Sequence, residues 1–223
     1  MPELPDLTVY IHALNTRVAG RRLVGVRLIS PFVLRSVNPP LEAIKGRTVQ
    51  AIFRVGKRIV VALAAPTASP SSTTSSTVED ELFLVVHLMI AGRLRWREPH
   101  QKPGVGPRMI LAAFEFEHGT LLFTEAGSKK RASLHLVRGR RGVEALNRGG
   151  VEPLEVSLTQ FRESLTRESH TLKRTLTDPH LFSGIGNAYS DEILHAARLS
   201  PLKLSRTLSD DESFGCTRPR ARR

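Results

Sequence analysis

Cysteine is nearly absent from this sequence, with Cys216 the single example in 223 residues. One thiol excludes a disulfide within the chain and a zinc site built from several cysteines of this chain. The sequence also lacks the roughly 20 consecutive apolar residues of a membrane span, and its N-terminus lacks the basic and then apolar layout of a signal peptide. We therefore expect no zinc or other cofactor, no membrane association, and a cytoplasmic protein.

Acidic residues are outnumbered, with 21 Asp and Glu against 33 Lys and Arg and a formal net charge of +12. This excess favours a polyanionic partner, either nucleic acid or an anionic membrane surface. Because no membrane segment is evident, nucleic acid is the better candidate. A hydrophobic content of 40% is enough for a buried core, so the chain is expected to be globular.

The spacing of apolar residues predicts an α+β fold. Asp6 is a suitable N-cap residue, and the apolar residues from Leu7 to Val18 follow helical spacing as far as Gly20. Short apolar runs then follow, typical of an antiparallel β-sandwich: residues 23–29, 48–54, 58–62, 82–90, 109–116, 121–124 and 133–137. Beyond Gly149 the spacing becomes helical again. We predict a β-sandwich domain at 1–150 and a helical domain at 151–213.

Two segments carry no core-forming pattern. Residues 65–80 are rich in Ser, Thr and Pro, which predicts a flexible insert between two strands. Residues 209–212 have the Ser-x-x-Glu form of a capping box, yet the sequence after them does not continue a helix. Residues 214–223 are basic and lack apolar periodicity, so we expect a disordered tail and an incomplete helical domain.

The start of the chain carries a candidate nucleophile. Removal of Met1, ordinary before a small residue such as proline, leaves Pro2 with a free secondary amine. An α-amine has a reference pKa of about 7.7 to 8.0, and the positive end of the following helix lowers this pKa. Such an amine can attack a sugar C1′ and form an electron-withdrawing iminium, while Glu3 moves protons. The alternative is that both residues merely lead into the helix.

The string Met1-Pro-Glu-Leu-Pro-Asp6 resembles the Met-Pro-Glu-Leu-Pro-Glu start of the formamidopyrimidine-DNA glycosylase and endonuclease VIII family. Asp6 is a conservative departure from that start. The resemblance extends over roughly residues 1–210 and implies a β-sandwich followed by a helix-two-turns-helix domain. It also implies a base-excision repair enzyme in which Pro2 is the Schiff-base nucleophile and Glu3 the proton donor.

Two segments of the predicted sandwich carry the resemblance further. Arg54-Val-Gly-Lys57-Arg58 resembles a family hairpin, which implies that Lys57 contacts phosphate or donates a proton. His87-Leu-Met-Ile-Ala-Gly-Arg93 resembles the family's His-Leu-Gly-Met-Ser-Gly, which implies that Ile90 fills the space of an extruded base and that Arg93 beside it binds DNA. Alternatively, Lys57 is an ordinary hairpin lysine and Ile90 points inward from a strand.

The most specific match is Asp178 to Leu194, which contains Gly184-Ile-Gly186-Asn187 and resembles the family's helix-two-turns-helix element. The glycines allow close approach of the backbone to phosphate, and Asn187 at a helix start can cap the helix and offer its amide to DNA. Lys173 resembles the family lysine that reaches the same DNA backbone. The alternative is a plain turn between two helices.

Two departures from the family pattern affect the expected activity. Thr124 to Ala132 differs from the family's Asp-Pro-Arg-Arg-Phe-Gly, so Lys129, Lys130 and Arg131 are left to contact DNA by charge alone, without an aromatic wedge. The family's lid and zinc finger cannot be built from Cys216 and the basic tail, so we expect weak DNA affinity. Both regions govern lesion choice, which is therefore left open.

The sequence thus predicts a monomeric, bifunctional DNA glycosylase and abasic-site lyase that acts on double-stranded DNA containing oxidised bases or abasic sites. In a bacterium it is expected to associate with the nucleoid. A non-catalytic module that binds damaged DNA is one alternative, since the basic surface and the helical element can hold DNA without reaction. An inactive fragment of a longer glycosylase is the other, supported by the helix that the sequence opens at Ser209 and does not continue.

Overall fold

The computed structural model describes residues 1–64 and 81–216. The insert predicted at 65–80, and the part of the predicted tail at 217–223, lie outside the described residues. The chain divides into two compact units, Met1–Leu146 and Asn147–Arg223.

The first unit consists of an N-terminal helix α1 (Leu4–Val18), two antiparallel sheets and a short helix α2 (Gly139–Glu144). One sheet has the order β2-β3-β4-β8 and the other β1-β6-β7-β5. The strands are β1 Leu23–Leu28, β2 Thr48–Val55, β3 Arg58–Ala64, β4 Leu82–His87, β5 Gly92–Arg97, β6 Ile110–Phe116, β7 Gly119–Glu125 and β8 Ser133–Arg138.

The core of this unit lies between the two sheets. Alternate apolar side chains such as Ile59, Leu134 and Phe123 are fully buried there, as the period-2 pattern requires. Helix α1 contributes Leu7 and Leu14 to the same core. The predicted α+β architecture, with an N-terminal helix and an antiparallel sandwich, is confirmed.

Two connections cross between the sheets at the same end of the sandwich. Residues 88–91 join β4 to β5, and residues 126–132 join β7 to β8. The strands that flank them are paired, His87 with Ser133 and Gly92 with Glu125. The two crossing loops therefore lie side by side.

The second unit is helical, with α3 Leu158–Thr166, α4 Leu172–Thr177, α5 Asn187–Ala197 and α6 Asp210–Gly215. Phe161, Leu172, Phe182 and Leu194 are buried at its centre. Burial of these residues, rather than helix length, holds the short helices in place. Within the described ranges, no helix is long and apolar enough to cross a membrane.

The sequence patterns missed two elements of the first unit. Strand β5 escaped because the arginines at 93, 95 and 97 break its apolar run, although they alternate with Leu94 and Trp96. Helix α2 escaped because Val143 is its single buried residue, which gives no helical periodicity.

The prediction that no helix continues after residues 209–212 was wrong. Residues 209–212 do form the capping interaction, with Ser209 N donating to Glu212 Oε2 at 2.9 Å and Glu212 N donating to Ser209 Oγ at 3.3 Å. A helix then continues through Gly215, and Cys216 is buried in the helical core. Residues 214–216 therefore belong to the folded unit, where α6 packs against α3 and α5.

Candidate active site

Pro2 and Glu3 lie at the start of α1, and both are buried. Glu3 is the N-cap residue, and its carbonyl accepts a hydrogen bond from Leu7 N at 3.0 Å. The Asp6 carboxylate accepts the Glu3 N–H at 2.9 Å. Asp6 is therefore the third helical residue and not the predicted N-cap, because Pro5 needs no intrahelical partner and fits within the first turn.

Lys57 lies in the two-residue turn between β2 and β3. Gly56 has φ +58° in this turn, a conformation that glycine adopts without steric cost. Burial lowers the pKa of the Lys57 amine, and the negative charge of Glu3 opposes that effect. Lys57 and Glu3 are therefore close enough to interact electrostatically, which brings two of the predicted catalytic groups together.

Ile90 lies at the tip of the 88–91 turn and is 58% exposed. Two features constrain this turn. Met89 has the left-handed φ of +52°. Gly92 approaches Leu88 so closely that a Cβ on it would lie 2.2 Å from Leu88 O. Arg93 Nη1 donates to the carbonyls of Ile90 and Gly92 at 3.1 and 2.7 Å. The alternative interpretation of Ile90 as an inward strand residue is therefore wrong.

The basic loop 126–131 is exposed, while Glu125 beneath it is only 2% exposed. The Glu125 carboxylate accepts the backbone N–H groups of Arg131 and Ala132 at 2.9 to 3.2 Å. Lys130 Nζ donates to the Glu125 carbonyl. A buried carboxylate thus fixes the backbone that presents Lys129, Lys130 and Arg131.

Strand pairing brings these pieces to one end of the sandwich. Arg58, next to Lys57, pairs with His87, and His87 pairs with Ser133 at the end of the basic loop. Helix α1 lies beside β5, because the Tyr10 side chain is close enough to the Leu94 backbone and to the charges of Arg93 and Arg95 for them to affect its pKa. An amine, a carboxylate, an exposed apolar side chain and several cations therefore share one surface.

Two histidines beside this surface were not identified as site residues from the sequence. Burial lowers the pKa of His87 to about 4, and the charges of Arg58, Lys57 and His135 lower it further. Burial also lowers the pKa of His135, with Arg58 and Arg35 adding to the effect. Among residues 1–64 and 81–216, His87 Nε2 and His135 Nδ1 are buried and have no hydrogen-bond partner. Both imidazoles are neutral at pH 7. The positive charge of this region therefore comes from the neighbouring lysine and arginine side chains.

In the second unit, Lys173 joins α4 to the start of α5. Its Nζ donates to Asn187 O at 2.6 Å and lies 2.5 Å from Asp191 Oδ1. Gly184 has φ +81°, and Gly186 is the N-cap of α5, so Asn187 is the first helical residue rather than the predicted cap. Asn187 is exposed, and the two glycines are buried.

Family models match both units. The formamidopyrimidine-DNA glycosylase N-terminal domain matches residues 1–131, which is more than half of the chain, and the H2TH domain of the same glycosylases matches residues 150–216.

This chain belongs to the formamidopyrimidine-DNA glycosylase family.

Curated relatives and solved structures agree with this assignment. Formamidopyrimidine-DNA glycosylase of Chloroflexus aurantiacus is 30% identical over 218 residues, which are 95% of this chain and 71% of the relative. The glycosylase of Pelotomaculum thermopropionicum is 29% identical over 95% of this chain and 72% of the relative. A structure of Lactococcus lactis Fpg with DNA containing an oxidised pyrimidine has a TM-score of 0.81 at 22% identity, covering 97% of this chain and 76% of that one.

A second Lactococcus lactis Fpg structure, bound to DNA containing an abasic site, has a TM-score of 0.80 at 21% identity over 96% of this chain and 74% of that one. At these identities the two structures establish the shared fold.

Glu125 lies where this family member departs from the Asp-Pro-Arg-Arg-Phe-Gly pattern. The signal that could have identified it is an acid closing a predicted strand directly before a basic loop.

The described part of this glycosylase offers no metal site. No group of three or more His, Cys, Asp or Glu side chains in residues 1–64 and 81–216 is arranged to hold a metal ion. Cys216 is buried in the helical core, and burial raises the pKa of its thiol to about 11. A thiol that resists deprotonation does not suit zinc, which binds the thiolate.

Proposed function

We propose that this chain is a bifunctional DNA glycosylase and abasic-site lyase that removes oxidised bases from double-stranded DNA. The observation that supports this proposal most directly is the buried Pro2-Glu3 pair at the start of α1, with the Lys57 amine near enough for the charge of Glu3 to affect its pKa. In a DNA glycosylase family, a buried secondary amine next to a carboxylate supports covalent catalysis. An enzyme with this substrate is expected with the chromosome, in the cytoplasm or nucleoid of a bacterium.

The first chemical step requires the removal of Met1, because the Pro2 nitrogen is an amide until then. The free nitrogen attacks C1′ of the damaged nucleotide and the glycosidic bond breaks, and the departing base takes up the proton that the Pro2 nitrogen gives up. The bond between C1′ and the ring oxygen then breaks as the nitrogen lone pair forms an iminium with C1′. Glu3 supplies a proton to the ring oxygen, and this is the role we propose for its carboxylate.

The second step is strand cleavage by elimination. The iminium draws electrons from C1′, so a proton is lost from C2′ and the bond from C3′ to the phosphate oxygen breaks. Hydrolysis of the iminium then releases Pro2. Lys57 has a pKa lowered by burial and can exchange a proton or hold a phosphate beside the reacting sugar.

The remaining predicted residues are proposed to hold and distort the duplex. Ile90 is proposed to fill the space of the extruded base, since its tip is exposed and its turn is fixed by Gly92 and Arg93. The basic loop is proposed to contact DNA beside it.

In the helical unit, the buried Gly184 and Gly186, the exposed Asn187 and the α5 N-terminus are proposed to receive a DNA phosphate. Lys173 is proposed to support this site by fixing Asn187, and its ammonium adds positive charge there. We accordingly propose that the sandwich unit carries out the reaction and that the helical unit increases the affinity for DNA.

Borohydride trapping on a duplex with a single abasic site tests the proposal. The processed protein is expected to give a covalent band, whereas Pro2→Gly and a form that retains Met1 are expected to give little or none. Pro5→Ala is the matched control, because it alters a proline of the same helical turn and leaves the N-terminal amine intact. Absence of a band from folded, processed protein would reject the enzyme and leave a DNA-binding module or an inactive fragment.

A further inference from the structure

A short extended segment continues the sheet β2-β3-β4-β8 beyond β8. Leu34 forms a parallel bridge with Leu134, Arg35 N donates to Leu134 O at 2.8 Å, and Leu136 N donates to Ser36 Oγ at 2.8 Å. One backbone hydrogen bond at Arg35 and one bond to the side chain of the next residue, Ser36, attach this segment to β8. The position of Arg35 is therefore set by the sheet and not by a loose loop.

The direction of the Arg35 side chain follows from this pairing. Leu34 and Leu134 both pack toward the core between the sheets, so their neighbours Arg35 and His135 lie on the opposite, outer face. The influence of Arg35 on the pKa of His135 agrees with this placement. On the same outer face, Arg58 and His87 are paired across β3 and β4.

The result is a stripe across the outer face at one end of the sheet, in which the cations Lys57 and Arg58 lie at one side, Arg35 lies at the other, and the neutral imidazoles of His87 and His135 lie between them. Three steps between neighbouring strands separate β3 from the Arg35 segment. At about 4.8 Å per step, the stripe is roughly 14 Å long. Each strand of DNA carries one phosphate per about 3.4 Å of helix axis, so a stripe of this length can reach more than one phosphate.

The environment of the Arg35 side chain is suited to binding an anion. Its side chain is exposed, and it has no hydrogen-bond or ion-pair partner among residues 1–64 and 81–216. Its neighbour His135 is neutral and provides no counter-charge. By contrast, Arg27 on the other sheet is paired with Glu115 at 2.7 Å. A guanidinium on a segment bonded to the sheet, whose donors meet no acceptor in the described ranges, suits a phosphate.

We propose that Arg35 binds a backbone phosphate of the DNA, separate from any phosphate that Lys57 contacts, and so extends the DNA-binding surface across the edge of the sheet. This inference rests on the proposed function, because it assumes that the chain binds duplex DNA. It assigns a binding role to a residue of the β1–β2 connection, which carries none of the motifs identified in the sequence.

Arg35→Gln tests the proposal by removing the charge and leaving a polar side chain of similar shape. The dissociation constant for a duplex with an abasic-site analogue is measured from low to physiological salt. Loss of one phosphate contact is expected to reduce the slope of log K against log salt by about 0.9, and Arg35→Lys is expected to restore most of it. Arg21→Gln is the matched control, since Arg21 is an exposed arginine at the opposite end of β2.

The phosphate itself can be located by placing one neutral methylphosphonate at a time along each DNA strand. At one position, the substitution is expected to weaken binding by wild type and have little added effect on Arg35→Gln, because both remove the same contact. Equal slopes for Arg35→Gln and wild type, or additive effects at every position, would overturn the phosphate site while leaving the glycosylase proposal intact. Absence of duplex binding by wild type would instead reject the proposed function, and this site with it.

Discussion

Acid should destabilise the sandwich unit through His87, and replacement of His87 by glutamine should reduce that sensitivity. The folded protein lowers the pKa of His87 to about 4, first by burial and then through Arg58, Lys57 and His135. The unfolded chain takes up a proton near the ordinary histidine pKa of about 6.5. Between these values the unfolded state binds more protons, so stability is fully present above about pH 6.5 and decreases as the pH falls toward 4.

The size of the effect follows from the two pKa values. A difference of about 2.5 units corresponds to about 3 kcal/mol in total, of which about 2 kcal/mol is lost between pH 7.5 and pH 5. His87→Gln is expected to lose about 2 kcal/mol less than wild type over that interval. His135 contributes in the same direction and is unchanged in this variant, so a smaller pH response should persist.

Urea unfolding followed by tryptophan fluorescence measures this directly, because Trp96 is the single tryptophan and lies in β5 of the sandwich unit. His12→Gln is the matched control, since His12 is an exposed histidine of α1. The control is expected to keep the wild-type difference between pH 7.5 and pH 5. An unchanged difference in His87→Gln would refute the reasoning that buried, neutral His87 is a source of acid sensitivity.

Three further changes have expected outcomes. Glu125→Ala leaves two backbone N–H groups without their acceptor and should cost about 2 to 6 kcal/mol; urea unfolding measures this, and a loss no larger than that of exposed Glu117→Ala would contradict it. Gly92→Ala places a Cβ 2.2 Å from a backbone oxygen; the turn must move, so trapping on a duplex should slow at least several-fold while Gly106→Ala, in open space, reacts normally. Lys173→Ala loses both of its contacts with α5; duplex binding should weaken and depend less on salt, and an unchanged slope would exclude a role in DNA binding.

The sequence predicted those parts of the fold that have a strong apolar period. Helix α1 and most strands of the sandwich were found because their buried residues repeat at helical or alternating spacing. Strand β5 was missed because Arg95 and its neighbouring arginines hide a half-buried strand. The N-cap was predicted at Asp6 but lies at Glu3. The prediction followed the preference of aspartate for N-cap positions and did not take into account that Pro5 fits within a first helical turn.

The candidate site shows a similar division. Pro2, Lys57 and Ile90 could be proposed from local motifs, since each lies within a short and specific string. The surroundings of these residues depend on contacts between distant strands, which a single sequence does not reveal. Glu125 and His135 were missed for this reason: the burial of the Glu125 carboxylate and of the His135 ring nitrogen arises only when β7 and β8 take their places in the two sheets.

The most direct test of the account is to find the atom that carries the DNA adduct. Processed protein is reacted with an abasic duplex, reduced with borohydride and digested, and the modified peptide is located by mass spectrometry. The account predicts a reduced sugar attached to the nitrogen of Pro2, with no modification of Lys57. An adduct on Lys57, whose amine has a lowered pKa and lies near Glu3, would contradict the assignment of Pro2 as the nucleophile.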